Sequence, residues 1–484
     1  MAQRRKAQDP VSLADGLKAG AEKVEDRYNE QIRATSAAKE FSKALLFIGD
    51  VELDLNLRPS VGSRISILGE QHMGKTATAY RLMAAQQRLC RQCMTPILPF
   101  VNFTTGETAT TCRCGQKDPC RVVYFDMHTE FDPGWAKTLG LDIGAETTEG
   151  FVETVPGLLV GPDAKFAICR ASTAEQVSTV AETLIEMGAA DMIVIDSIAS
   201  LVPTEQKQGK AQPAARARAV STMVGKLMSA QGAALIREGI APTVVFTNEF
   251  RTNIQMMNPK ADNREAAGGK AAKYFTMQEW RLYSSYNEGL TDRTIEHKYA
   301  DMRFTLTKDK LGGMTNRQAN MRLFLKNTEK NRLTYIAGET DNPERLLEIM
   351  KDISDKTGDL RWFEKKSGYV NLLGQRFKTA QAIKEYLRQP GISYRLLLPI
   401  FVQLLPPSTL HHLDIDNFLY GPFDQNDVLS QLIYETKERI GLAALRNVGR
   451  RSWMEQPDAE GGDGQPHAND PEAVEGAEDP EDEG

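Results

Sequence analysis

The sequence predicts an α/β fold in which a mostly parallel, twisted sheet is flanked by helices, and two segments carry this prediction. In the first, an alternating strand at 63–68 leads through a glycine-containing loop into a helix-forming stretch at 75–89. In the second, a helix that begins with a capping box at Thr173 leads to the apolar run Met-Ile-Val-Ile before Asp196. Strands that alternate with helices form parallel sheets, so both segments indicate one α/β core.

The loop between the first strand and its helix, 69–76, fits the phosphate-loop pattern G-x-x-x-x-G-K-[ST] at every position. Its glycines let the backbone wrap closely around a polyphosphate, towards which the loop amides and the helix N-terminus direct partial positive charge. Lys75 is placed to reach the β- and γ-phosphates, and the Thr76 hydroxyl to ligate Mg²⁺. A chance match in a glycine-containing turn is the alternative, which the flanking strand and helix disfavour. The predicted nucleotide-binding residues are Gly69, Glu70, Gln71, His72, Met73, Gly74, Lys75 and Thr76.

Other predicted strands also end in polar side chains. Asp196, the acid that follows the apolar run Met-Ile-Val-Ile, matches the position that holds the Mg²⁺ shell beside a phosphate loop. Short apolar runs at 121–126 and 242–249 are typical of buried parallel strands. Because ligands bind at the carboxyl ends of such strands, we expect these side chains to surround the phosphate loop. They are Asp196, His128, Glu130 and Asp132, with Asn248 and Glu249 as groups that can sense the γ-phosphate.

Composition is typical of a soluble globular protein with two or three domains. The 484 residues are 41% hydrophobic and 26% charged. No run approaches about 20 apolar residues, and no apolar segment follows the N-terminal Met-Ala-Gln-Arg-Arg-Lys. Neither a membrane span nor a signal peptide is predicted, and we expect a cytoplasmic protein without a membrane partner.

The net charge of −6 hides an asymmetry between the body of the chain and its tail. Residues 455–484 contain twelve Asp and Glu and no Lys or Arg, which leaves 59 basic against 53 acidic residues in 1–454. A mildly basic body with an acidic tail is typical of a protein that binds a polyanion and whose tail competes with it. A disordered tail that only solubilises the chain is the alternative.

Five of the six cysteines are concentrated between positions 90 and 120. The pair Cys90 and Cys93 precedes a second group after eighteen residues, a spacing typical of zinc ribbons. In a cytoplasmic chain this density indicates a metal rather than disulfides. We predict a Zn²⁺ ion on Cys90 and Cys93 with two of Cys112, Cys114 and Cys120. Four thiolates would make the site structural; free or redox-active thiols are the alternative.

Two basic segments leave the predicted core as loops, at 203–218 and 251–273. Mobile basic loops at one edge of a sheet suit a phosphodiester backbone, although a basic loop that merely faces solvent is the ordinary alternative. The candidate DNA-binding residues are Lys207, Lys210, Arg216 and Arg218 in the first loop and Arg251, Arg264, Gly268, Gly269 and Lys270 in the second.

The order of these parts resembles the RecA family of recombinases. The resembling segments are 69–76, 125–140, 191–203, 215–227, 247–254, 268–275 and 307–310, with a weaker likeness at 362–374. The resemblance implies a RecA-type P-loop nucleoside triphosphatase core with ATP and Mg²⁺ as cofactors. It also implies a DNA-dependent ATPase that forms helical filaments on single-stranded DNA and exchanges strands with homologous double-stranded DNA in recombination and repair.

The same resemblance implies further contacts. Asp132 and Trp135 fall where the family contacts adenine, and Lys308 with Lys310 matches a pair that reaches the ATP of the neighbouring subunit, so that turnover depends on the filament. In the DNA loops it places Arg218 at a phosphate-binding helix and Ile254 where an apolar side chain wedges between base triplets, and it adds Asn253 as a DNA-binding residue. Single-strand-binding and mediator proteins are the further partners it implies.

The sequence departs from the family pattern in three places, two of which bear on catalysis. His128 replaces the water-activating Glu, for which Glu130 is the alternative, and Glu249 replaces the γ-phosphate-sensing Gln. A carboxylate at that position repels the γ-phosphate unless it is paired or protonated. The cysteine-rich insertion is absent from the bacterial archetype and suggests a divergent, phage-like member. We therefore predict slow hydrolysis, with Lys75, Asp196, Glu130, His128, Glu249, Lys308 and Lys310 as catalytic residues.

We predict five regions along the chain. They are an N-terminal segment, 1–45, with a helix at 11–34 that docks on a neighbouring subunit or on its own domain; the core, 46–330; a small C-terminal α/β domain, 331–390; a helical addition, 391–452; and a disordered acidic tail, 453–484. Two other functions remain open at this point: an ATP-switched DNA-binding filament with weak hydrolysis, and a hexameric RecA-fold helicase or ATPase.

Overall fold

The centre of the fold is a parallel sheet, as the sequence predicts. The computed structural model describes residues 45–101, 108–112, 114–155, 157–171, 173–207, 215–252, 264–266, 269–291, 294–311, 315–330, 333–404, 427–436 and 438–439. The chain divides into two units, Met1–Glu438 and Arg439–Gly484, and every element below belongs to the first. The predicted helix at 11–34 and the acidic tail lie outside the described residues.

The elements alternate between strands and helices through the first half of the unit. The strands are β1 (Arg64–Gly69), β2 (Leu98–Val101), β3 (Thr108–Thr111), β4 (Val122–Asp126), β5 (Val152–Val155), β6 (Leu158–Val160), β7 (Phe166–Cys169), β8 (Met192–Asp196), β9 (Thr243–Thr252), β10 (Arg264–Ala266), β11 (Gln278–Thr291), β12 (Thr294–Asp309), β13 (Arg317–Phe324), β14 (Thr328–Lys330), β15 (Leu333–Tyr335), β16 (Glu364–Lys366), β17 (Tyr369–Leu372) and β18 (Gln375–Phe377). The helices are α1 (Val51–Asn56), α2 (Lys75–Gln87), α3 (Pro133–Thr138), α4 (Ala174–Glu186), α5 (Thr204–Lys207), α6 (Ala215–Glu238), α7 (Gly269–Phe275), α8 (Asn342–Thr357), α9 (Ala380–Arg388) and α10 (Pro390–Leu404).

One large sheet has the strand order β13-β12-β11-β1-β9-β8-β4-β7-β6-β5, with β10 paired to β9. The six central strands, from β11 to β7, run parallel. Antiparallel strands extend the sheet at both edges, with β12 and β13 on one side and β5 and β6 on the other. The predicted α/β class with a mostly parallel sheet is therefore confirmed.

Helices cover both faces of the sheet, because alternate side chains of each central strand point in opposite directions. On β4, Tyr124 packs in the cluster that contains Tyr80 and Leu82 of α2. Its neighbours Val123 and Phe125 pack in a second cluster, with residues of α4 and α6. The sheet is thus the middle layer of three, and its carboxyl edge remains available for polar side chains.

The N-cap hydrogen bond of the capping box predicted for α4 is present. The Thr173 side chain accepts a hydrogen bond from the Gln176 backbone amide, and the helix ends just before Gly188. The predictions of loops at 203–218 and 251–273 are wrong where these segments meet α6, β9 and α7. Residues 215–218 open α6, since alternating Ala and Arg favour a helix. The second segment begins as the continuation of β9, whose backbone pairs with β10, and it ends in α7.

Beyond the large sheet, α8, the small antiparallel sheet β16–β18 and α9 form an α/β unit against which α10 packs. Residues 428–436 are also helical. Arg361 binds the carboxylate of Glu435 through two hydrogen bonds of 2.6 and 2.8 Å, and Arg395 contacts Asp427 at 3.0 Å. These contacts tie the additional helices to the α/β unit. Within the described ranges, no helix combines the length and apolar character needed to cross a membrane.

Candidate active site

The phosphate loop lies at the carboxyl end of β1, where the two motif glycines are required for different reasons. Gly74 adopts φ of 85°, a left-handed conformation that side chains disfavour, and a Cβ there would lie 2.7 Å from Met302 Cε. At Gly69 a Cβ would lie 2.9 Å from the Leu282 carbonyl oxygen on the neighbouring strand β11. The loop therefore folds against the sheet only with glycine at both positions.

Strand β11 supports the outer part of this loop. Met73 Sδ accepts hydrogen bonds from the Ser284 amide and hydroxyl at 3.2 and 3.3 Å, and the Tyr286 hydroxyl donates to the His72 carbonyl. Neither Ser284 nor Tyr286 was predicted from the sequence. Their only signal is alternation along the strand, because residues 284 and 286 share one face.

Lys75, the first residue of α2, is buried, with only 8% of its surface exposed. Its ammonium donates to the carbonyls of Gly69 and Glu70 at 3.2 and 2.6 Å, and it lies 3.9 Å from the Glu249 carboxylate. Burial lowers the pKa of Lys75 below its ordinary value, while Glu249 and Asp196 act in the opposite direction. The loop thus holds a cation at the N-terminus of α2, where a phosphate would also meet the helix dipole.

Asp196 ends β8 and is fixed by three hydroxyl groups. Thr76 Oγ1 and the Tyr124 hydroxyl donate to its Oδ2 at 2.6 and 2.9 Å, and Thr247 Oγ1 donates to its Oδ1. Thr76 and Asp196, predicted from separate motifs, are therefore in direct contact. Tyr124 and Thr247 were not predicted, although both lie on strands that flank β8.

The turn after β4 brings two candidate water-activating groups to the site. The Asp126 carboxylate accepts hydrogen bonds from the amides of Glu130 and Phe131 at 3.2 and 3.1 Å, which fixes the turn. His128 Nε2 lies 2.7 Å from Ser200 Oγ and 3.3 Å from Ser197 Oγ. Both serines follow the end of β8, and neither was predicted from the sequence.

These residues surround a cleft of about 550 Å³, called the nucleotide cleft below. Its wall includes the loop from Gln71 to Thr76 and the side chains of His128, Glu130, Trp135, Asp196, Ser197, Glu249, Ser284, Tyr286 and Met302. Trp135 thus reaches the cleft, where its indole offers a stacking face. Asp132 instead caps α3, because its carboxylate accepts a hydrogen bond from the Trp135 amide at 2.9 Å.

Lys308 and Lys310 lie away from the phosphate loop of their own chain. Lys308 pairs with Glu279 near the amino end of β11, whereas the phosphate loop follows the carboxyl end of β1. Their ammonium groups donate to carbonyls at the C-terminus of α7: Lys308 to Lys273 and Tyr274, and Lys310 to Tyr274 at 3.3 Å. This position favours cations, because it carries the negative end of the helix dipole.

The candidate DNA-binding residues are only partly described. Arg216 and the exposed Arg218 lie on the first turn of α6, and Lys207 ends α5. Arg251 lies on β9, Arg264 on β10, and Gly269 and Lys270 open α7. Lys210, Asn253, Ile254 and Gly268 lie outside the described residues.

The cysteine-rich insertion follows the other end of α2. The Sγ atoms of Cys90, Cys93, Cys112 and Cys114 all lie within 4.8 Å of one another, and these four residues are called the thiol cluster below. Cys120 is not part of it. Its side chain is fully buried, with Sγ 4.0 Å from Met94 Sδ, because it belongs to the hydrophobic core beside α2.

The central part of the chain is similar in sequence to known proteins. Residues 158–327 match the family model of the RecA N-terminal domain. The chain is 31% identical over 160 residues to Protein RecA of Aquifex pyrophilus, which covers 32% of this chain and 37% of that protein. It is 30% identical over 178 residues to Protein RecA of Rickettsia prowazekii, covering 36% and 44% of the two chains. It is 28% identical over 178 residues to Protein RecA of Acholeplasma laidlawii, covering 36% of this chain and 46% of that protein.

The chain thus spans less than half the length of these relatives, and the matched family region begins after the phosphate loop and β4. The structure supplies the part that the family match omits. The phosphate loop on β1 and the acid that ends β8 are parts of one continuous sheet. The central part of this chain is therefore similar to the RecA N-terminal domain and to these RecA proteins.

Proposed function

We propose that this protein is an ATP-dependent recombinase that assembles on single-stranded DNA and exchanges strands with a homologous duplex. The observation that carries the proposal is the contact of Thr76 with Asp196 beside the buried Lys75, at the carboxyl edge of a RecA-family sheet. Such an edge is where nucleotides bind in open α/β folds. A cytoplasmic location, where ATP and DNA are both available, follows from the proposal.

The residues present fit a nucleotide with Mg²⁺. Lys75 is a cation held among carbonyl oxygens at a helix N-terminus, and the hydroxyl of Thr76 and the carboxylate of Asp196 are oxygen ligands 2.6 Å apart. Bound there, Mg²⁺ would neutralise charge on the phosphate oxygens. In this proposal Lys75 binds the terminal phosphates, Thr76 and Asp196 hold the ion and its water shell, and Trp135 stacks on the base.

A water molecule that attacks the γ-phosphate needs a group that orients it. Both His128 and Glu130 line the nucleotide cleft. The imidazole Nε2 of His128 is already within hydrogen-bond distance of Ser197 and Ser200, whereas the Glu130 carboxylate has no hydrogen bond or ion pair to another described residue. We therefore assign the water-orienting role to Glu130 and a positioning role at the end of β8 to His128.

The DNA-binding role rests on the basic residues at the start of α6 and near the ends of β9. Arg218 is exposed at the N-terminus of α6, where the helix dipole also favours a phosphate. The position of Lys308 and Lys310, away from their own phosphate loop, supports the proposal that they complete the nucleotide cleft of a neighbouring subunit in a filament. Single-strand-binding and mediator proteins would be the partners of such a filament.

Strand exchange and electron microscopy together test this function. The protein is mixed with single-stranded DNA and ATP, imaged by negative stain, and then supplied with a homologous or a heterologous duplex. The proposal predicts helical filaments and ATP-dependent joint molecules with the homologous duplex alone. Closed rings would favour the hexameric helicase or ATPase, and the absence of joint molecules from well-formed filaments would refute strand exchange.

One observation favours a second function, an ATP-switched DNA-binding filament with little hydrolysis. Glu249 places a carboxylate 3.9 Å from the ammonium of Lys75, in the part of the nucleotide cleft that the γ-phosphate would approach. Phosphate release measured on the same filaments separates the two functions. Filaments that form with ATP but release no phosphate above the DNA-free rate would favour the switch.

A further inference from the structure

The thiol cluster has the geometry of a closed metal site. Cys114 Sγ lies 3.5 Å from Cys90 Sγ and 3.6 Å from Cys112 Sγ, and Cys93 completes a set whose sulfur atoms are all within 4.8 Å. A tetrahedral zinc ion with Zn–S bonds of about 2.3 Å requires sulfur atoms about 3.8 Å apart. The four sulfur atoms therefore need only small adjustments to enclose one ion.

We propose that Cys90, Cys93, Cys112 and Cys114 bind one Zn²⁺ ion that closes the insertion between α2 and β4. Four thiolates satisfy the ion and leave no open coordination position, so the role is structural. The site is independent of the ATPase and recombinase activities proposed above.

Hydrogen bonds around the cluster suit thiolate ligands. The Lys117 backbone amide donates to Cys112 Sγ at 3.3 Å, and Thr95 Oγ1 lies 2.9 Å from Cys93 Sγ. Donors of this kind orient metal-bound sulfur and offset its charge. Cys120 differs from these four, because its side chain is fully buried beside Met94 and burial raises the pKa of its thiol well above the ordinary value.

The cluster lies where the insertion leaves and rejoins the core. The Arg91 amide donates to the Asp118 carbonyl at 2.8 Å, and the Cys120 amide to the Leu89 carbonyl at 2.9 Å, so the two chain ends run side by side. Zinc would add a covalent closure to this pair of hydrogen bonds. The hairpin β2–β3 emerges from the closed base, and β2 runs beside α10. By closing this base, the ion would also hold the hairpin in place beside α10.

The site is remote from the nucleotide cleft. Helix α2 has thirteen residues, each rising about 1.5 Å, so the cluster and the phosphate loop are on the order of 20 Å apart. Removal of the metal should accordingly loosen the hairpin and α10 without preventing ATP from binding at Lys75.

The test compares zinc content and thermal stability in three full-length proteins: wild type, Cys114→Ala and Cys120→Ala. Cys114 is exposed, so its truncation removes a ligand with little loss of packing, whereas Cys120, a buried cysteine of the same insertion outside the thiol cluster, is the control for metal content alone. Elemental analysis of protein purified with reductant should give one zinc per chain for wild type and for Cys120→Ala. Cys114→Ala should contain less than a tenth of this amount, and its Tm should fall by at least about 5 °C.

Two further measurements on the wild type keep the proposal falsifiable if a variant fails to fold. Cobalt replacement should produce the visible absorption of a tetrahedral thiolate site, and chelation should increase amide exchange in β2, β3 and α10 while ATP still binds. The proposal would be overturned by wild type that binds neither zinc nor cobalt, or by Cys120→Ala losing the metal while Cys114→Ala keeps it. Because Lys75→Ala should retain its zinc, failure of the metal site and failure of the nucleotide site are distinguishable.

Discussion

The two ends of α2 are built in different ways. At its N-terminus, the nucleotide cleft collects side chains from the loop after β1, the turn after β4 and the strands β8, β9, β11, β12 and β13, which are far apart in the sequence, and it stays open over about 550 Å³. At its C-terminus, the thiol cluster draws all four side chains from one local insertion and closes on itself. The first arrangement suits a ligand that is exchanged and the second suits one that is retained. A single helix can thus connect a reversible site to a structural one.

The largest expected effect is that of removing Lys308 and Lys310. It shows whether the nucleotide cleft, unlike the thiol cluster, needs side chains from a second subunit. Replacing both Lys308 and Lys310 by alanine should lower DNA-stimulated phosphate release by about 1,000-fold, because cations supplied in trans stabilise charge in phosphoryl transfer by factors of this size. Release of phosphate from ATP on single-stranded DNA measures it, with the exposed Lys356→Ala as the matched control. Zinc content should be unchanged. Full activity of the double variant would show that each cleft is complete in one chain.

The next effect distinguishes the two groups after β4. Glu130→Gln should lower turnover by about 100-fold with little change in KM, because a positioned general base contributes at least this factor. His128→Ala should lower turnover by less than about tenfold, since its Nε2 contacts Ser200 and Ser197. The reverse ranking of the two variants would assign the water to His128.

The smallest effect concerns the carboxylate that faces the phosphate-binding lysine. Glu249→Gln should lower the Kd for ATP by about fivefold. The Glu249 carboxylate lies 3.9 Å from the Lys75 ammonium, and the Glu249 side chain is 30% exposed. Removing this ion pair should make the free energy of ATP binding at Lys75 more favourable by about 1 kcal/mol. Equilibrium binding of a fluorescent ATP analogue measures the change, and Glu186→Gln, an exposed carboxylate at the end of α4 and outside the nucleotide cleft, is the control. Weaker binding in Glu249→Gln would mean that the carboxylate holds Lys75 in place for the nucleotide.

The same contrast explains what the sequence could predict. The phosphate loop, the strands that end at Asp126 and Asp196, and the cysteine spacing are local patterns, so their positions followed from the sequence directly. The contacts that tune the cleft were missed because they join distant strands. The hydroxyls of Tyr124 and Thr247 reach Asp196 only once β4, β8 and β9 are adjacent, and the pairing of Glu249 with Lys75 depends on the same register. Basic composition likewise suggested loops at 215–218 and 251–252, where backbone hydrogen bonding instead favours a helix and a strand.

The most direct test of the nucleotide cleft is phosphate release from ATP by wild type and Lys75→Ala, with and without single-stranded DNA. We predict DNA-stimulated release by wild type and a loss of about 1,000-fold in Lys75→Ala, because this side chain is the buried cation of the loop. The variant should keep its zinc, which shows that the rest of α2 is intact. Full release of phosphate by Lys75→Ala would contradict the assignment of this cleft as the site of ATP hydrolysis.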